Sequence, residues 1–448
     1  MNDTMSTQPA RGMRDFLPEE LRRRDYVVGV VRNVYERYGF EPLETPAVEN
    51  IDTLLGKYGE EGNKLIFKIL KRGEHESSGQ ADLALRYDLT VPLARVVAEY
   101  QVTLPRFFKR YQIQPVWRAD RPARGRFREF YQCDIDIVGS TSLVVEAELC
   151  AAVGDVLTRL GFQNFTIRIN HRAFLTATLE CAGIPPGLHA DALITLDKLD
   201  KIGPAGVLQE LATRGIEAAA ATKCLSFFGE GNSEETATRI EQAAKFVSGH
   251  QMGQQAVTQL RDLFRLLDGT RAGGRVRFDP SLARGLSYYT GAIMEINVPD
   301  LAGSLGGGGR YDNLIGMFLG RDVPACGFSL GLERILVVMG ERNMFPESVV
   351  DAPSDVMVTL WNEGTCADAL ALAATLRADG LRVDVYPEVD KIGKQFKYAS
   401  SRHVPFVTVV GDDEQARGEV TIKDMRSGEQ KSLRRDDVAM FIKNALSS

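Results

Sequence analysis

Between residues 20 and 38 the apolar positions recur at helical spacing. Tyr26, Val30, Val34 and the Arg37–Tyr38 pair share a stripe, and Gly39 suits the end of a helix. FEPLETPAVEN then reads as an extended segment interrupted by Pro42 and Pro46. Residues 56–80 are rich in glycine and charge and read as loop around the short apolar patch LIFKIL. From 85 to 140 the pattern alternates between strand and helix. FKRYQIQPVWRAD and GRFREFYQCDIDIVG, separated by RPAR, predict two antiparallel strands joined by a loop. A helix follows near 142–159, then the strand FTIRIN. Residues from about 190 to about 275 are helical, polar and alanine-rich, as in an inserted module. Strands return across VRFDPSLARGLSYYTGAIMEI, a glycine-rich turn is expected at 303–309, and a helix begins near Leu330.

The segment FPESVVDAPS, around 345–354, is polar and holds two prolines, which marks a boundary. Beyond it DVMVTLW, GLRVDVYPE and VPFVTVVG alternate with two helical stretches, predicting a small mixed α/β sheet. Two or three domains suit 448 residues. We place them at 1–345 and 354–448. The fold class is α+β.

Composition narrows the partners. A formal net charge of −6 means that any nucleic-acid contact must come from local patches rather than from the whole chain. Six cysteines lie far apart, with no CxxC pair, so they read as reduced thiols of a cytosolic protein rather than a disulfide or zinc framework. MNDTMSTQPA lacks the basic start and apolar run of a signal peptide, and no apolar run approaches the length of a membrane span. The expected location is therefore the cytoplasm, with no membrane partner.

Candidate chemistry concentrates in four places. On a strand with period two, Arg126, Arg128, Phe130, Gln132, Asp134 and Asp136 share one face. Cations, a ring and carboxylates together suit phosphate contact, base stacking and a polar substrate, although an ordinary solvent-facing strand has the same pattern. Arg118 and Asp120 face the same turn. In ARGLSYYTG, Arg284 precedes a glycine, and Tyr288 and Tyr289 are either packing residues or a ligand hydroxyl beside a core ring. In GSLGGGGRYDNLIG, Gly306–Gly309 remove all side-chain bulk, which suits either close approach of a ligand or backbone, or a mobile loop. In GFSLGLERI, Arg334 sits on an apparent helix, within reach of a triphosphate or in a surface ion pair. There is no phosphate loop, dinucleotide fingerprint or HExxH motif, so an ATP site has to use scattered arginines on a sheet, with a carboxylate such as Asp120 helping to hold Mg²⁺ on the phosphates.

These stretches resemble the class II aminoacyl-tRNA synthetases and, within them, the histidyl-tRNA synthetase family. YGFEPLETP is similar to the first class motif, WRADRPARGRFREFYQCDIDIVG to the second and GFSLGLERI to the third. ARGLSYYTG and GGGGRYDNL resemble the histidine-specific elements, and DKIGKQFKYASSRHVPFVTVVG the anticodon-binding domain. The resemblance implies an antiparallel-sheet catalytic core with a helical insertion and a C-terminal α/β anticodon-binding domain. It also implies a homodimer, with L-histidine, ATP, Mg²⁺ and histidine tRNA as ligands. By residue, it implies Arg118 and Arg126 on the activated phosphate and ATP, Phe130 on adenine, and Arg334 near the outer phosphates. Asp88, Thr90 and Gln132 fall around the substrate amino group. Asp136 and Tyr289, with Tyr288 beside them, read the imidazole, and Arg284 assists attack on ATP. Ser287 stands where many members have aspartate, and Asp88 and Asp136 where glutamate is frequent, so the local network shifts.

Three other readings compete, one of them a synthetase for another amino acid with a similar C-terminal domain, which RGLSYYTG argues against. A regulatory subunit built on the same core would lack the C-terminal region and the arginines present here. A nonenzymatic tRNA-binding protein would show no pyrophosphate exchange. In the C-terminal region Lys391, Lys394, Lys397 and Arg402 form a basic group, either a solvated helix face or a contact to the anticodon stem or loop.

Overall fold

The computed structural model describes residues 6–71, 73, 78–196, 198–229, 235–283, 288–299, 301, 303–346, 349 and 353–447. The chain divides into two compact units, Met1–Met344 and Phe345–Ser448.

The strands of the first unit are β1 (Glu41–Pro42), β2 (Val48–Asn50), β3 (Lys68–Leu70), β4 (Ala81–Leu85), β5 (Phe108–Trp117) and β6 (Glu129–Val138). They continue as β7 (Thr166–His171), β8 (Val276–Phe278), β9 (Ala292–Asn297), β10 (Gly306–Arg310) and β11 (Ala325–Gly331). Its helices begin with α1 (Pro18–Arg37), α2 (Ile51–Leu54), α3 (Gly59–Lys64), α4 (Thr90–Glu99), α5 (Val144–Arg159) and α6 (Arg172–Ala182). Then come α7 (His189–Leu196), α8 (Leu199–Thr213), α9 (Ala218–Gly229), α10 (Thr236–Phe246), α11 (Gln251–Asp268), α12 (Gly316–Leu319) and α13 (Leu332–Glu341).

Eight strands form one sheet in the order β1-β5-β6-β11-β10-β9-β7-β8, antiparallel from β5 to β7 and parallel at the two outer pairs. Period two gives this sheet two unlike faces. Tyr111, Ile113, Cys133, Ile135, Ile137, Phe328, Met294, Ile296, Ile167 and Ile169 point to the back, which α1, α5 and α11 cover. The isoleucines Ile135, Ile137, Ile167, Ile169 and Ile296 are at most 4% exposed. Each such burial contributes about 1.5–3 kcal/mol. The front face carries the polar set described below. One end of the front is closed by a second core in which Tyr58, Tyr87, Val91, Leu93 and Ala94 pack against Phe108, Val138 and Ala325. The small sheet β2-β4-β3 flanks it.

Four expectations change. The buried stripe of α1 is Val27, Val31, Val34 and Tyr35, offset from the one read in sequence. The glycine run is a strand, β10, because Gly306–Gly309 pair with both β9 and β11. The stretch between Phe278 and Ala292 is not strand where it is described, so Tyr288 and Tyr289 do not alternate across a sheet. Their rings meet edge to face at 5.2 Å instead. The loop read at 56–80 contains α3 and β3.

The helical insertion divides by packing. Helices α7, α8 and α9 share a core with Leu175 and Leu179 of α6. Helix α11 instead lies on α5, α6 and β7, behind the main sheet.

In the second unit, β12 (Val356–Val358), β13 (Val383–Val385), β14 (Phe406–Val409), β15 (Glu419–Asp424) and β16 (Gln430–Arg434) form a sheet in the order β13-β12-β14-β15-β16. Its first three strands are parallel and the rest antiparallel. Helices α14 (Cys366–Ala378) and α17 (Arg435–Ser447) share its apolar core, while α15 (Ile392–Ser401) and the short α16 (Asp412–Arg417) complete the unit.

Candidate active site

Register turns the front face into rows. Arg110 of β5 pairs with Asp136 of β6, which pairs with Gly327 of β11 and, through it, Gly309 of β10. The next row is Gln112, Asp134, Ser329 and Gly307, and the one after it Gln114, Gln132 and Gly331. Val116 and Phe130 follow at the open end. Of the six residues predicted to share a face, Phe130, Gln132, Asp134 and Asp136 do so within β6. Arg126 and Arg128 precede the strand in the hairpin loop.

The glycines leave the space that the carboxylates fill. A Cβ on Gly327 would sit 1.9 Å from Asp136 Oδ1, and one on Gly308 would sit 2.2 Å from the Gly327 carbonyl. A Cβ on Gly309 would meet the Tyr289 ring at 2.9 Å. Close backbone approach is the physical reason for the run.

A connected polar network lies over these rows. Asp136 accepts from the Tyr311 hydroxyl on Oδ1. Arg110 Nη2 lies 2.7 Å from Asp136 Oδ2 and 3.9 Å from Asp134 Oδ2. Gln132 Nε2 donates to Ser329 Oγ at 2.8 Å, while Gln132 Oε1, Asp134 Oδ1 and, apart from its ion pair with Arg110, Asp136 Oδ2 are buried and have no hydrogen-bond partner among the described residues. Across the site, Asp88 accepts on Oδ1 from the Tyr58 hydroxyl and the Val91 N–H, both at 3.0 Å, and on Oδ2 from the Tyr288 hydroxyl at 3.1 Å. Thr90, at the start of α4, lies beside Tyr288 and partly offsets the upward shift that burial gives its hydroxyl. Tyr288 therefore reaches the site through Asp88. Burial pushes the carboxyls of Asp88, Asp134 and Asp136 upward. The Val91 N–H opposes this most at Asp88, and Arg110 most at the other two. Burial also raises the Tyr289 hydroxyl, with Asp134, Asp136 and Asp88 in electrostatic range.

The hairpin end differs in character. Arg118 donates from Nε to the Tyr87 carbonyl at 3.0 Å, and its guanidinium lies 4.3 Å from the Tyr87 ring centre and 5.2 Å from that of Phe130. Asp120 is clamped by Arg126, with Nη2 2.9 Å from Oδ1 and Nε 3.2 Å from Oδ2. Arg334 donates to the Ser304 carbonyl and lies beside the hairpin tip, where a Cβ on Gly125 would be 3.2 Å from its Cγ. Thus Arg118, Phe130, Asp120, Arg126 and Arg334 gather at the open end, and Asp88, Thr90, Gln132, Asp136, Tyr288 and Tyr289 around the closed end. Arg284 and Ser287 fall outside the described residues. The run leading to them is tied down by Asn170, whose Nδ2 donates to the carbonyls of Pro280 and Leu282 at 2.9 and 3.0 Å.

Several residues here were not singled out from sequence. Arg110, Tyr58 and Tyr311 complete the network, and Arg86, 1% exposed, donates to the carbonyls of Thr45, Pro46 and Pro115. Glu333 turns inward and accepts from the Tyr131 N–H at 3.1 and 3.0 Å, with burial pushing its carboxyl up to about 7. The signal for Arg110 and Tyr311 was present, since both stand in quoted motifs, but only strand register reveals what they face.

In the second unit the basic group separates along α15. Lys391 precedes the helix, Lys394 pairs with Asp390 at 2.9 Å, and Lys397 is exposed. Arg402, just past the far end, pairs with Asp384 at 2.7 Å.

A mainly antiparallel sheet with an open polar face, arginines at its hairpin end and a separate α/β unit defines a class II aminoacyl-tRNA synthetase. The sequence profile described as "Histidyl-tRNA synthetase" matches residues 12–335, and that described as "Anticodon binding domain" matches 355–445. The histidine–tRNA ligase of Christiangramia forsetii is 41% identical over 451 residues, covering 96% of this chain and 98% of its own. That of Cytophaga hutchinsonii is 40% identical over 448 residues, covering 96% and 97%. The crystal structure of histidyl-tRNA synthetase from Nostoc sp. PCC 7120 superposes with a TM-score of 0.82 at 30% identity, over 99% of this chain and all of that one. The chain belongs to the histidyl-tRNA synthetase family. It is an enzyme that uses ATP to join histidine to tRNA.

Proposed function

We propose that the front face of the main sheet reads histidine at its closed end and ATP at its open end, within a catalytic domain of residues 1–345. The observation that carries this reading is the buried acceptor surface: Gln132 Oε1 and Asp134 Oδ1 are unpaired beside Asp136. Buried acceptors without donors are costly, so a ligand bearing N–H groups is strongly favoured there. Asp88, Thr90 and Gln132 meet the substrate ammonium, and Asp136 and Tyr289 the two ring nitrogens, with Tyr288 fixing Asp88. An analogue lacking one ring nitrogen leaves a polar group unpaired and is rejected.

The histidine carboxylate oxygen attacks the α-phosphorus of ATP. The bond to the bridging oxygen breaks, and pyrophosphate leaves with that electron pair. The terminal ribose hydroxyl of tRNA then attacks the carbonyl carbon of the adenylate, giving up its proton as AMP departs. Arg118 and Arg284 act on the reacting phosphate, Arg126 and Arg334 on the others, and Phe130 stacks on adenine. These are positioning and electrostatic roles. Mg²⁺ would come bound to the phosphates and supply charge neutralisation. Asp120 is the carboxylate we assign to it, and it fits that role only when Arg126, which holds both its oxygens here, turns to a phosphate.

We further assign residues 354–448 to the anticodon, with Lys391, Lys394, Lys397 and Arg402 as its basic contacts, and place the enzyme in the cytoplasm as a homodimer joined through the first motif. No helix among the described residues is long and apolar enough to cross a membrane. Light scattering that gave the mass of one chain would remove the dimer. The test of the site is ATP–pyrophosphate exchange with each of the twenty amino acids, alongside Arg284→Ala. Exchange with histidine alone, lost in the variant, is expected. Exchange unchanged in the variant would remove Arg284 from the chemistry.

A further inference from the structure

Two carboxylates, Asp134 and Asp136, stand two residues apart on the same face of β6, each 2% exposed. One guanidinium, Arg110, reaches them from β5 and is itself 0% exposed. The three groups carry one negative charge in excess when all are ionised. Arg110 does not divide itself evenly: its Nη2 is 2.7 Å from Asp136 and 3.9 Å from Asp134. Its remaining contacts are weak, with Nη1 donating to Gln112 Oε1 and Nη2 to the Leu89 carbonyl, each at 3.3 Å. Its Nε has no hydrogen-bond partner among the described residues. A guanidinium placed only to knit the core together would satisfy its donors first. This one leaves a donor unmet and approaches a single carboxylate from one side, while the Tyr311 hydroxyl holds the other oxygen of that carboxylate.

We infer that Arg110 is the positioning residue for the carboxylate that reads the imidazole, holding Asp136 charged and aimed across the Gly327 gap. The inference rests on the assignment of Asp136 to the ring. Arg110 touches no substrate atom. It acts through Asp136, and so on histidine and not on ATP. Asp134 lies farther from the cation.

Histidine-dependent pyrophosphate exchange separates this from a merely structural role, because it gives KM for histidine and for ATP on the same protein. Arg110→Gln is expected to raise KM for histidine at least tenfold with KM for ATP within twofold of wild type, and Arg110→Lys to recover part of the loss. Arg110→Gln alone leaves two buried carboxylates uncompensated, which threatens folding. The double variant Arg110→Gln/Asp134→Asn restores the wild-type net charge of the cluster and keeps the question open to test. Its KM for histidine stays raised if Arg110 positions Asp136. A return to the wild-type value would reduce Arg110 to charge balance and overturn the inference, as would equal changes in both KM values. Asp136→Asn distinguishes the two levels. If it leaves KM for histidine unchanged, the reading of Asp136 falls and takes Arg110 with it. If it raises that KM while Arg110→Gln does not, only the inference on Arg110 falls.

Discussion

In the sheet of the first unit, Arg110, Asp134 and Asp136 are 0–2% exposed and held by tyrosine, serine and glycine neighbours. In the second unit the ion pairs lie at the rim: the Lys394 side chain is 66% exposed beside Asp390, and that of Arg426 is 52% exposed beside Asp424. The interior of the second sheet is instead apolar, with Val356, Val358, Leu376 and Phe406 fully buried. A small ligand enclosed by protein is discriminated by buried groups that must each find a partner. A long polyanion is met at the surface, where charge stays solvated and contributes mainly steering and salt-dependent contact. The same residue types therefore serve opposite energetics in the two units.

Four variants would break or sharpen this contrast. Arg118→Ala carries the largest expected effect, a fall in kcat for histidine-dependent exchange of about 10²–10³-fold, the usual loss when one charge-stabilising donor is removed. A fall of less than about threefold would place Arg118 outside the chemistry. Next is Glu333→Gln, read by denaturation at several pH values. The folded state holds the Glu333 proton up to about pH 7, above the ordinary value of 4.5. The unfolded chain releases it earlier, so the wild type loses stability as pH rises through that window, by up to about 3 kcal/mol. The variant, having no such proton, gains on the wild type across the same range. A difference independent of pH would contradict the buried-charge account.

Gly327→Ala comes third. A Cβ 1.9 Å from Asp136 Oδ1 forces the carboxylate aside. We expect about 1–3 kcal/mol of lost stability and a raised KM for histidine. If both stayed at the wild-type values, the close packing of β11 on Asp136 would not matter. The smallest effect is expected at the rim. Lys391→Ala/Lys394→Ala should raise KM for tRNA severalfold and weaken its salt dependence, with exchange in the absence of tRNA unchanged. Loss of exchange would contradict the separation of roles.

How far the sequence could be read follows the same contrast. Strands β5 and β6 were legible because their period-two alternation sets a polar face against an apolar one. The α/β character of the second unit was legible because its strands are short apolar runs between helical stretches. Strand β10 was read as a turn because four glycines carry no facial signal. Their place in a sheet depends on pairing with β9 on one side and β11 on the other, which the glycines' own pattern does not reveal. The burial stripe of α1 was offset because apolar side chains lie on both sides of it. Arg110 and Glu333 were missed for a shared reason: a charged residue looks solvent-exposed in sequence until register shows what it faces. Arg310 is similar, since the residue that ends GGGGR ion-pairs on the back face with Glu146 of α5, at 2.6 Å. Its role is structural, and the motif does not reveal this.

The division of the front face into a histidine end and an ATP end is tested most directly by the two KM values in pyrophosphate exchange, measured on Asp136→Asn and Phe130→Ala. The account predicts that Asp136→Asn raises KM for histidine at least tenfold and leaves KM for ATP within twofold of wild type, with Phe130→Ala doing the reverse. If both variants changed both constants alike, or if Asp136→Asn left KM for histidine untouched, the assignment of the two ends would be contradicted.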